Sequence, residues 1–525
     1  MTPHSLSRRD MLKMSALGAA ALALPFERIV RAKSISRIAS SKLPRPFTVP
    51  FAVPPVAELV KSDATTDFYQ MTMRQKKIEI LPGIGTTIFG YDGIAPGPTI
   101  RATQGRQVVV RHINGLPAKH PSLGYTPWTS VHLHGSASLP QYDGYASDIT
   151  NPGQYKDYVY PNIQPARSLW YHDHGVGHTA ENAYMGLAGS YVLTDPVEKA
   201  LPLPTGRYDV PLVIADKMFA ENGELMYDDA SHSGLWGDVI LVNGRPWPRM
   251  AVERRKYRFR ILNASLSRGY RYRLSTGEPM TVIATDGGLM SAPQQVSEIR
   301  HGMAERYDIV VDFAKYEIGQ RVVLQNLGVK NSTDYDTTKQ IMAFDVTAEP
   351  TDGTNNDVPG VLDPTPSAMD LTPAMATANR KLEVIRSNGQ WSVNGVTWED
   401  VVKSDYTKVI GNPKADAVEI WDVTNRSGGW FHPVHIHLVD FQILSRNGAA
   451  PRPEERGPKD VVYVGENETV KLIMKFEHRT GRYMVHCHNL PHEDHDMMTQ
   501  FEVGSGGPDP VTAAPAKPLS AATPL

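Results

Sequence analysis

Cysteine is nearly absent from this sequence, and its single occurrence, Cys487, excludes an intramolecular disulfide. Neither sign of charge dominates, since 54 basic residues stand against 56 acidic ones. A balanced composition does not favour nucleic acid or a membrane surface as a partner. The mostly apolar segment 14–24 is too short to span a bilayer, which needs about 20 residues, and we expect no stable membrane anchor. The 41% of apolar residues is nevertheless enough for ordinary packed cores.

Long helical patterns are also missing beyond the N-terminal segment. Instead, short segments such as 257–261 and 470–476 alternate between apolar and polar residues, as half-buried strands do. The 42 glycines and 41 prolines interrupt the chain often, which favours sandwiches or barrels over helical bundles. The sequence therefore predicts an all-β protein.

A weak internal repeat suggests how this β-rich chain is divided. Similar strand-like segments end at Asn114, Asn263 and Asn425, and they are about 150 residues apart, the size of one sandwich domain. The sequence predicts domains at 45–195, 205–350 and 379–505, separated after the second by a linker at 351–378. The segment 506–525 is rich in Gly, Pro and Ala and is predicted to be a mobile tail.

The N-terminus has the pattern of an export signal. Arg8 and Arg9 precede the apolar segment, which contains Ala21-Leu22-Ala23. This pattern predicts a twin-arginine signal with its lead-in over 1–35. We therefore expect recognition by the twin-arginine export machinery and a periplasmic or extracellular location. An exported free thiol is prone to oxidation, and binding of Cys487 to a metal as a thiolate would protect it.

Histidine is concentrated in four short clusters. Ten of the 18 histidines lie at 132–134, 172–174, 432–437 and 486–492. In an extended chain, His-x-His places both imidazoles on one face, where they can share a metal site. His486 and His488 flank Cys487, so on a strand they point away from its sulfur. They are free to bind a second metal centre.

The same residues predict a blue-copper site, which combines a thiolate, two imidazoles and a distant thioether. Cys487, His492 and Met497 would supply three ligands, and His432 is the odd member of its cluster. The other eight clustered histidines form four His-x-His pairs, enough for three more copper ions bound by three, three and two imidazoles. Zinc fits less well because a structural zinc site is a closed set of four ligands. Two pairs lie in the first predicted domain and two in the third, so the eight-histidine site must form where those domains meet.

The order of these motifs resembles the multicopper oxidase family over about residues 45–505. The motifs are His-x-His-Gly, Trp-Tyr-His-x-His, His-x-x-His-x-His and His-Cys-His-x3-His-x4-Met. The resemblance implies three cupredoxin-like Greek-key β-sandwich domains and four copper ions, one of type 1, one of type 2 and two of type 3. It implies His432, Cys487, His492 and Met497 for type 1, His132 and His435 for type 2, His134, His172 and His488 for one type 3 ion, and His174, His437 and His486 for the other.

The resemblance further implies that dioxygen is reduced to water by four electrons taken singly from a reductant. The peptide bonds joining Cys487 to its two neighbouring histidines offer each electron a covalent route. Oxygen reduction also consumes protons, and Asp143 and Glu493 match acidic residues assigned to proton delivery in related oxidases. The alternatives are that Asp143 only forms a turn before Gly144, and that Glu493 only hydrogen-bonds to a metal ligand.

Segments around the motifs are most similar to bilirubin oxidases and bacterial spore-coat-type laccases. Trp430 matches a tryptophan typical of bilirubin oxidases and would border the electron-entry edge, although it could be an ordinary core or rim aromatic. Phe431 and Pro491 depart from the bilirubin oxidase pattern and leave the substrate preference open. We expect the reductant to be bilirubin, a phenol or an aromatic amine.

Two other functions stay open. A cuprous oxidase acting in copper tolerance often has a Met-rich insert, and the 19 methionines here are dispersed. A non-catalytic cupredoxin-type electron-transfer protein needs only the four type 1 residues, so eight further histidines would serve no purpose in it.

Overall fold

A computed structural model of the chain describes residues 36–525. The predicted export signal at 1–35 lies outside the described residues. Strands make up 43% of the structure and helices 10%, which confirms the prediction of an all-β protein. Within the described range, no helix combines the length and the apolar character needed to cross a membrane.

The first β-sandwich is built from two sheets. Its strands are β1 (Lys61–Ser62), β2 (Thr66–Leu81), β3 (Ile84–Tyr91), β4 (Gly97–Thr103), β5 (Gln107–Asn114), β6 (Val131–His134), β7 (Gln154–Tyr160), β8 (Arg167–Asp173) and β9 (Ala188–Thr194). One sheet contains β1, β2, β5 and β7 in that order with β3 paired to β2, and the other has the order β4-β9-β8-β6. Tyr69 of β2 and Leu169 of β8 lie in one core, because alternate residues of each strand face the opposite sheet.

The second β-sandwich also consists of two sheets, and each has more strands than its counterpart in the first. Its strands are β10 (Asp209–Lys217), β11 (Val239–Val242), β12 (Arg245–Pro246), β13 (Arg249–Glu253), β14 (Lys256–Asn263), β15 (Tyr270–Leu274), β16 (Met280–Thr285), β17 (Gly288–Val296), β18 (Ile299–His301), β19 (Arg306–Asp312), β20 (Arg321–Asn326) and β21 (Gln340–Ala348). The sheet orders are β12-β11-β10-β14-β19-β16-β17 and β13-β21-β20-β15-β18. Phe259 of β14 and Phe344 of β21 join the two sheets in one core.

The third β-sandwich contains the cysteine. Its strands are β22 (Ala378–Ser387), β23 (Gln390–Val393), β24 (Val418–Asn425), β25 (His432–Ile436), β26 (Phe441–Arg446), β27 (Val461–Val464), β28 (Thr469–Lys475), β29 (Gly481–Cys487) and β30 (Met498–Val503). The sheets have the orders β23-β22-β24-β28-β26 and β27-β25-β29-β30. With three pairs of sheets, each around its own core, the structure confirms the prediction of three β-sandwich domains.

Four short α-helices connect strands in the described part of the chain. They are α1 (Thr179–Met185), α2 (Pro196–Ala200), α3 (Trp398–Lys403) and α4 (Leu490–Asp494). Helix α3 is capped by Thr397, the residue before it. The Thr397 side chain accepts a hydrogen bond from the backbone N–H of Asp400, and the Asp400 side chain accepts one from the backbone N–H of Thr397. Helix α4 carries His492 and lies between the cysteine and Met497.

The segment predicted to be a linker packs on the second sandwich. The buried guanidinium of Arg255 donates hydrogen bonds to the carbonyl oxygens of Thr354 and Asn355, at 2.8 and 3.0 Å. Leu362 lies in the core of the same sandwich. The segment therefore uses its backbone carbonyl groups and an apolar side chain to cover one end of the second sandwich.

The segment predicted to be a mobile tail also makes specific contacts. Its strand β31 (Lys517–Pro518) pairs antiparallel with β7 of the first sandwich, and the N–H of Leu519 donates to the carbonyl oxygen of Gly153 at 2.9 Å. The structure differs here from the expected mobile tail, because backbone pairing returns the chain from the third sandwich to the first.

Candidate metal centres

Strand pairing brings the histidine clusters together within each sandwich. In the first sandwich, β6 and β8 are antiparallel, and His132 lies opposite His172. In the third, β25 and β29 are antiparallel, and His435 lies opposite His486. Each His-x-His pair thus presents both rings on one face of its sheet.

Six of the eight paired histidines form two compact trios. The first histidine trio is His134, His172 and His488, and the second histidine trio is His174, His437 and His486. In each trio one nitrogen per ring lies within 4.8 Å of the other two, and all six side chains are buried. The Nε2 atom of His486 is 3.1 Å from the Nε2 atoms of both its trio partners. Each trio mixes residues of the first and third sandwiches.

The remaining pair, His132 and His435, lies against the trios. Their Nε2 atoms are 3.4 Å apart, and together with His134 they form a further set of nitrogens within 4.8 Å. The structure therefore brings all eight histidines into one site between the first and third sandwiches.

Several ring nitrogens in this site are buried without a hydrogen-bond partner among the described residues. They include Nε2 of His172 and both nitrogens of His488. Leaving a buried polar atom unsatisfied costs about 1–3 kcal/mol, which points to a bound partner. Burial lowers the pKa of His172 to about 3 and that of His174 to about 4. These two imidazoles are therefore neutral, the form that binds metal, and the site fits metal ions.

The outer nitrogens of several rings are fixed by acceptors. Nδ1 of His172 lies 2.8 Å from the backbone oxygen of Asp173, and Nδ1 of His435 lies 2.8 Å from that of Asp460. Such an N–H donor sets the tautomer and leaves Nε2 as the metal-binding atom.

The thiolate site, formed by His432, Cys487 and His492, lies in the third sandwich. The Cys487 Sγ atom is 3.2 Å from Nδ1 of His432 and 3.8 Å from Nδ1 of His492. Burial raises the pKa of the Cys487 thiol, so the thiolate needs an adjacent cation, which a metal ion supplies. The other ring nitrogens are occupied, since Ser427 Oγ lies 2.8 Å from Nε2 of His432 and the Ser233 carbonyl 2.9 Å from Nε2 of His492.

Met497 lies beside this site. Its side chain is fully buried in the same core as Cys487. The backbone N–H of Cys487 donates to the Met497 carbonyl at 3.1 Å, and the N–H of Met497 donates to the His492 carbonyl at 2.9 Å. The turn formed by α4 thus returns the chain to the cysteine.

Cys487 and its two neighbours point to different centres. The sulfur belongs to the thiolate site, whereas His486 belongs to the second histidine trio and His488 to the first. This division follows from the alternation of side chains along a strand. Two peptide bonds therefore connect the thiolate site to both trios.

Both predicted acidic residues contact the eight-histidine site. Asp143 is buried, and its Oδ2 lies 2.7 Å from Nδ1 of His437, while its Oδ1 has no hydrogen-bond partner in the described structure. Burial raises the pKa of the Asp143 carboxyl group. Glu493 is also buried, with Oε2 2.9 Å from Nδ1 of His486 and Oε1 3.6 Å from Nε2 of His174.

Trp430 lies half-buried at the edge of the thiolate site. The centroid of its ring is 5.5 Å from that of His492 and 5.7 Å from that of Trp391, in edge-to-face contacts. A further aromatic neighbour is Trp236 of the second sandwich, whose ring centroid is 6.4 Å away. Trp430 is thus a partly exposed member of an aromatic group that reaches a predicted ligand.

Trp391 and Asp460 are among the residues that touch predicted ligands and that sequence reasoning missed. Trp391 of β23 stacks on the His492 ring with centroids 3.9 Å apart, and Asp460 contacts His134 and His435. Neither residue lies in a histidine motif, and no local pattern marks them. The histidines outside the clusters lie outside these metal-binding sets, and in the described chain they are His112, His120, His178, His232, His301, His478 and His495.

Comparisons with known proteins agree with this geometry. Three family models described as multicopper oxidase match residues 72–198, 210–344 and 370–507. The chain is 42% identical to a bilirubin oxidase of Albifimbria verrucaria over 87% of this chain and 81% of that protein. It is 32% identical to a laccase of Bacillus subtilis over 87% and 98%. The crystal structure of the McoA multicopper oxidase from Aquifex aeolicus superposes with a TM-score of 0.78 at 29% identity, covering 88% of this chain and 99% of the other.

Proposed function

Because this chain belongs to the multicopper oxidase family, we propose that it oxidises a small aromatic reductant one electron at a time and reduces dioxygen to two waters. The observation that carries the proposal is the arrangement along β29. There a buried thiolate site and two buried histidine trios are separated by single peptide bonds. A simple electron carrier would need the thiolate site alone.

We assign four copper ions to these sites. When bound, copper would supply the redox chemistry, and the chain fixes the ligand geometry and the access of solvent. The type 1 ligands are His432, Cys487, His492 and Met497; the type 2 ligands are His132 and His435; the type 3 ligands are the two histidine trios. The buried nitrogens without partners and the neutral imidazoles of His172 and His174 support this assignment.

Asp143 and Glu493 are assigned to proton delivery. The carboxylate of each lies within 3 Å of the outer nitrogen of a trio histidine, His437 or His486. Both are therefore close enough to hold a proton beside the eight-histidine site. The alternative role, orienting the imidazole, uses the same contacts, and the Asp143→Asn variant distinguishes the two.

The reductant is proposed to be bilirubin, a phenol or an aromatic amine. This choice is supported by the 42% identity to a bilirubin oxidase and by the partly exposed Trp430 beside His492. The alternative of a cuprous oxidase has no Met-rich run to support it. Export through the twin-arginine pathway to the periplasm or the exterior is proposed from residues 7–24.

Copper quantitation and oxygen uptake test the function. We expect four copper ions per chain, an intense blue absorption from the thiolate site, and oxygen uptake with bilirubin and with a phenol. Cuprous ion serves as a parallel substrate, and its faster turnover would favour the cuprous oxidase. A single copper ion without oxygen uptake would establish the electron carrier and refute the proposal.

Replacement of Trp430 tests its contact with the reductant. We expect Trp430→Ala to lower kcat/KM for bilirubin about 3- to 10-fold, because an aromatic contact contributes about 0.5–1.5 kcal/mol. Copper content should not change. Steady-state oxygen uptake measures the effect, with Trp421→Phe as the control, since Trp421 is buried in the same sandwich against Phe476 and Phe501. Equal kcat/KM values in the two variants would make Trp430 an ordinary rim aromatic.

A further inference from the structure

We propose that Arg306 of the second sandwich is a positioning residue for the eight-histidine site and acts through Asp460. This inference rests on the proposed function, since it concerns the geometry of predicted copper ligands. It gives the second sandwich, which contributes no clustered histidine, a direct part in shaping the metal site.

Asp460 holds two stacked imidazoles at once. The rings of His134 and His435 are nearly parallel, with centroids 3.7 Å apart. The Oδ1 atom of Asp460 lies 3.2 Å from Nε2 of His134, and its backbone oxygen lies 2.8 Å from Nδ1 of His435. Any shift of Asp460 therefore moves a partner of both rings, one assigned to type 3 and the other to type 2.

The position of Asp460 is set by a guanidinium group whose five N–H donors are all used. Arg306 is buried. Its Nη1 and Nη2 donate to the two carboxylate oxygens of Asp460 at 2.7 and 2.6 Å. Nη1 also donates to the Ala304 carbonyl at 3.1 Å and Nη2 to the Asp286 carbonyl at 3.0 Å, while Nε donates to the Ser168 carbonyl at 2.8 Å. A lysine ammonium cannot reproduce this planar, two-pronged contact.

These contacts join all three sandwiches at one point. Ser168 lies on β8, the strand that carries His172 of the first histidine trio, and Asp460 directly precedes β27 of the third sandwich. Asp286 of the second sandwich adds a further tie, because its Oδ2 accepts from the backbone N–H groups of Asp460 and Val461 at 3.2 Å. The second sandwich thus fixes the first and third relative to each other beside the ligands that they share.

The glycine of the His-x-His-Gly motif is explained by the same pair. Gly135 follows His134 and has φ of +85°, a conformation that favours glycine. A Cβ atom there would lie 2.6 Å from Oδ2 of Asp460 and 2.7 Å from Nη2 of Arg306. The ion pair packs directly against the turn that ends the first histidine strand, so it has little room to adopt another arrangement.

Arg306→Lys in the copper-loaded protein tests the proposal, with Arg446→Lys as its matched control. Arg446 is also buried and makes a two-pronged ion pair, with Glu455 at 2.7 Å, but it touches no predicted ligand. The readouts are copper per chain, the ratio of type 2 to type 1 signals in electron paramagnetic resonance, and the midpoint of thermal unfolding. A purely structural role would affect the midpoint in both variants and the signal ratio in neither.

We expect Arg306→Lys to displace Asp460 and thereby to weaken metal binding at the eight-histidine site about 10- to 100-fold, the usual effect of disturbing a partner of the ligands. Its type 2 signal should decrease or change shape, while the blue absorption persists. Arg446→Lys should keep the wild-type spectrum. Asp460→Asn, which preserves side-chain volume and the backbone carbonyl, provides a second variant and should repeat the spectral change.

Wild-type copper content and spectra in Arg306→Lys and in Asp460→Asn would overturn the positioning role of Arg306 and would leave the proposed function unaffected. The same spectral change in Arg446→Lys would also overturn it, because the effect would then follow from any lost buried ion pair. A wild-type protein that binds no copper would instead overturn the proposed function, and this inference with it.

Discussion

Cys487→Ser is expected to remove the intense blue absorption and to reduce oxidation of aromatic substrates to the background of the copper-free protein. The sulfur is the only thiolate donor that the sequence offers, and a neutral hydroxyl does not replace it as a soft ligand. The eight-histidine site contains no atom of the Cys487 side chain. Copper content should therefore fall by about one ion per chain rather than to zero, because each remaining site keeps its own ligands.

A conservative change elsewhere on the same strand controls for loss of packing. Met484 is fully buried on β29, three residues before the cysteine, and Met484→Leu conserves volume. This control should keep both the blue absorption and the activity. Visible spectra, metal analysis and oxygen uptake of the three proteins make the comparison. A blue absorption that persists in Cys487→Ser would show that another residue supplies the ligand assigned to the cysteine.

Local spacing predicted the four His-x-His pairs, and the family resemblance predicted which of their members come together. His-x-His on a strand places two rings on one face whatever lies around the strand, and the flanking residues of Cys487 must point away from it. The sets formed by His174, His437 and His486, and by His432, Cys487 and His492, follow from such spacing together with the family resemblance.

The residues that hold the ligands in place could not be predicted in this way. Asp460 is 25 residues from His435 along the chain, and Arg306 is 154 residues from Asp460. Contacts of this kind depend on how three sandwiches pack, and no periodicity in one segment records that packing. The same limit applies to Trp391, which reaches His492 from a neighbouring sheet.

The tail shows a different failure of local reasoning. Its Gly, Pro and Ala content resembles that of a flexible end, but β31 pairs with β7 through backbone groups, which every residue type except proline can offer in full. Composition describes the side chains, and here part of the order comes from main-chain groups instead. The C-terminal segment therefore joins the third sandwich to the first through β7.

Asp143→Asn is expected to slow the reduction of dioxygen about 100-fold, the lower end of the usual range for a lost proton-transfer group, with the blue absorption and copper content intact. Asparagine has the volume of aspartate, and its amide oxygen can still accept from Nδ1–H of His437, which now lies 2.7 Å from Oδ2. The ring should keep its orientation. The amide cannot take up and release a proton, so only the proton-transfer role is lost.

The control is Asp148→Asn in the same sandwich. Asp148 is buried and paired with Lys156, but it contacts no predicted ligand, so its loss should lower stability and leave oxygen reduction unchanged. Reoxidation of the fully reduced protein by dioxygen should be timed separately from reduction of the thiolate site by the aromatic substrate. Slow reoxidation in Asp143→Asn, with normal reduction of the thiolate site, identifies Asp143 as the proton donor, because positioning of His437 is retained in the variant. Unchanged reoxidation would leave Asp143 with the orienting role alone, and Glu493, which contacts His486 and His174 of the second histidine trio, would then be the carboxylate to replace.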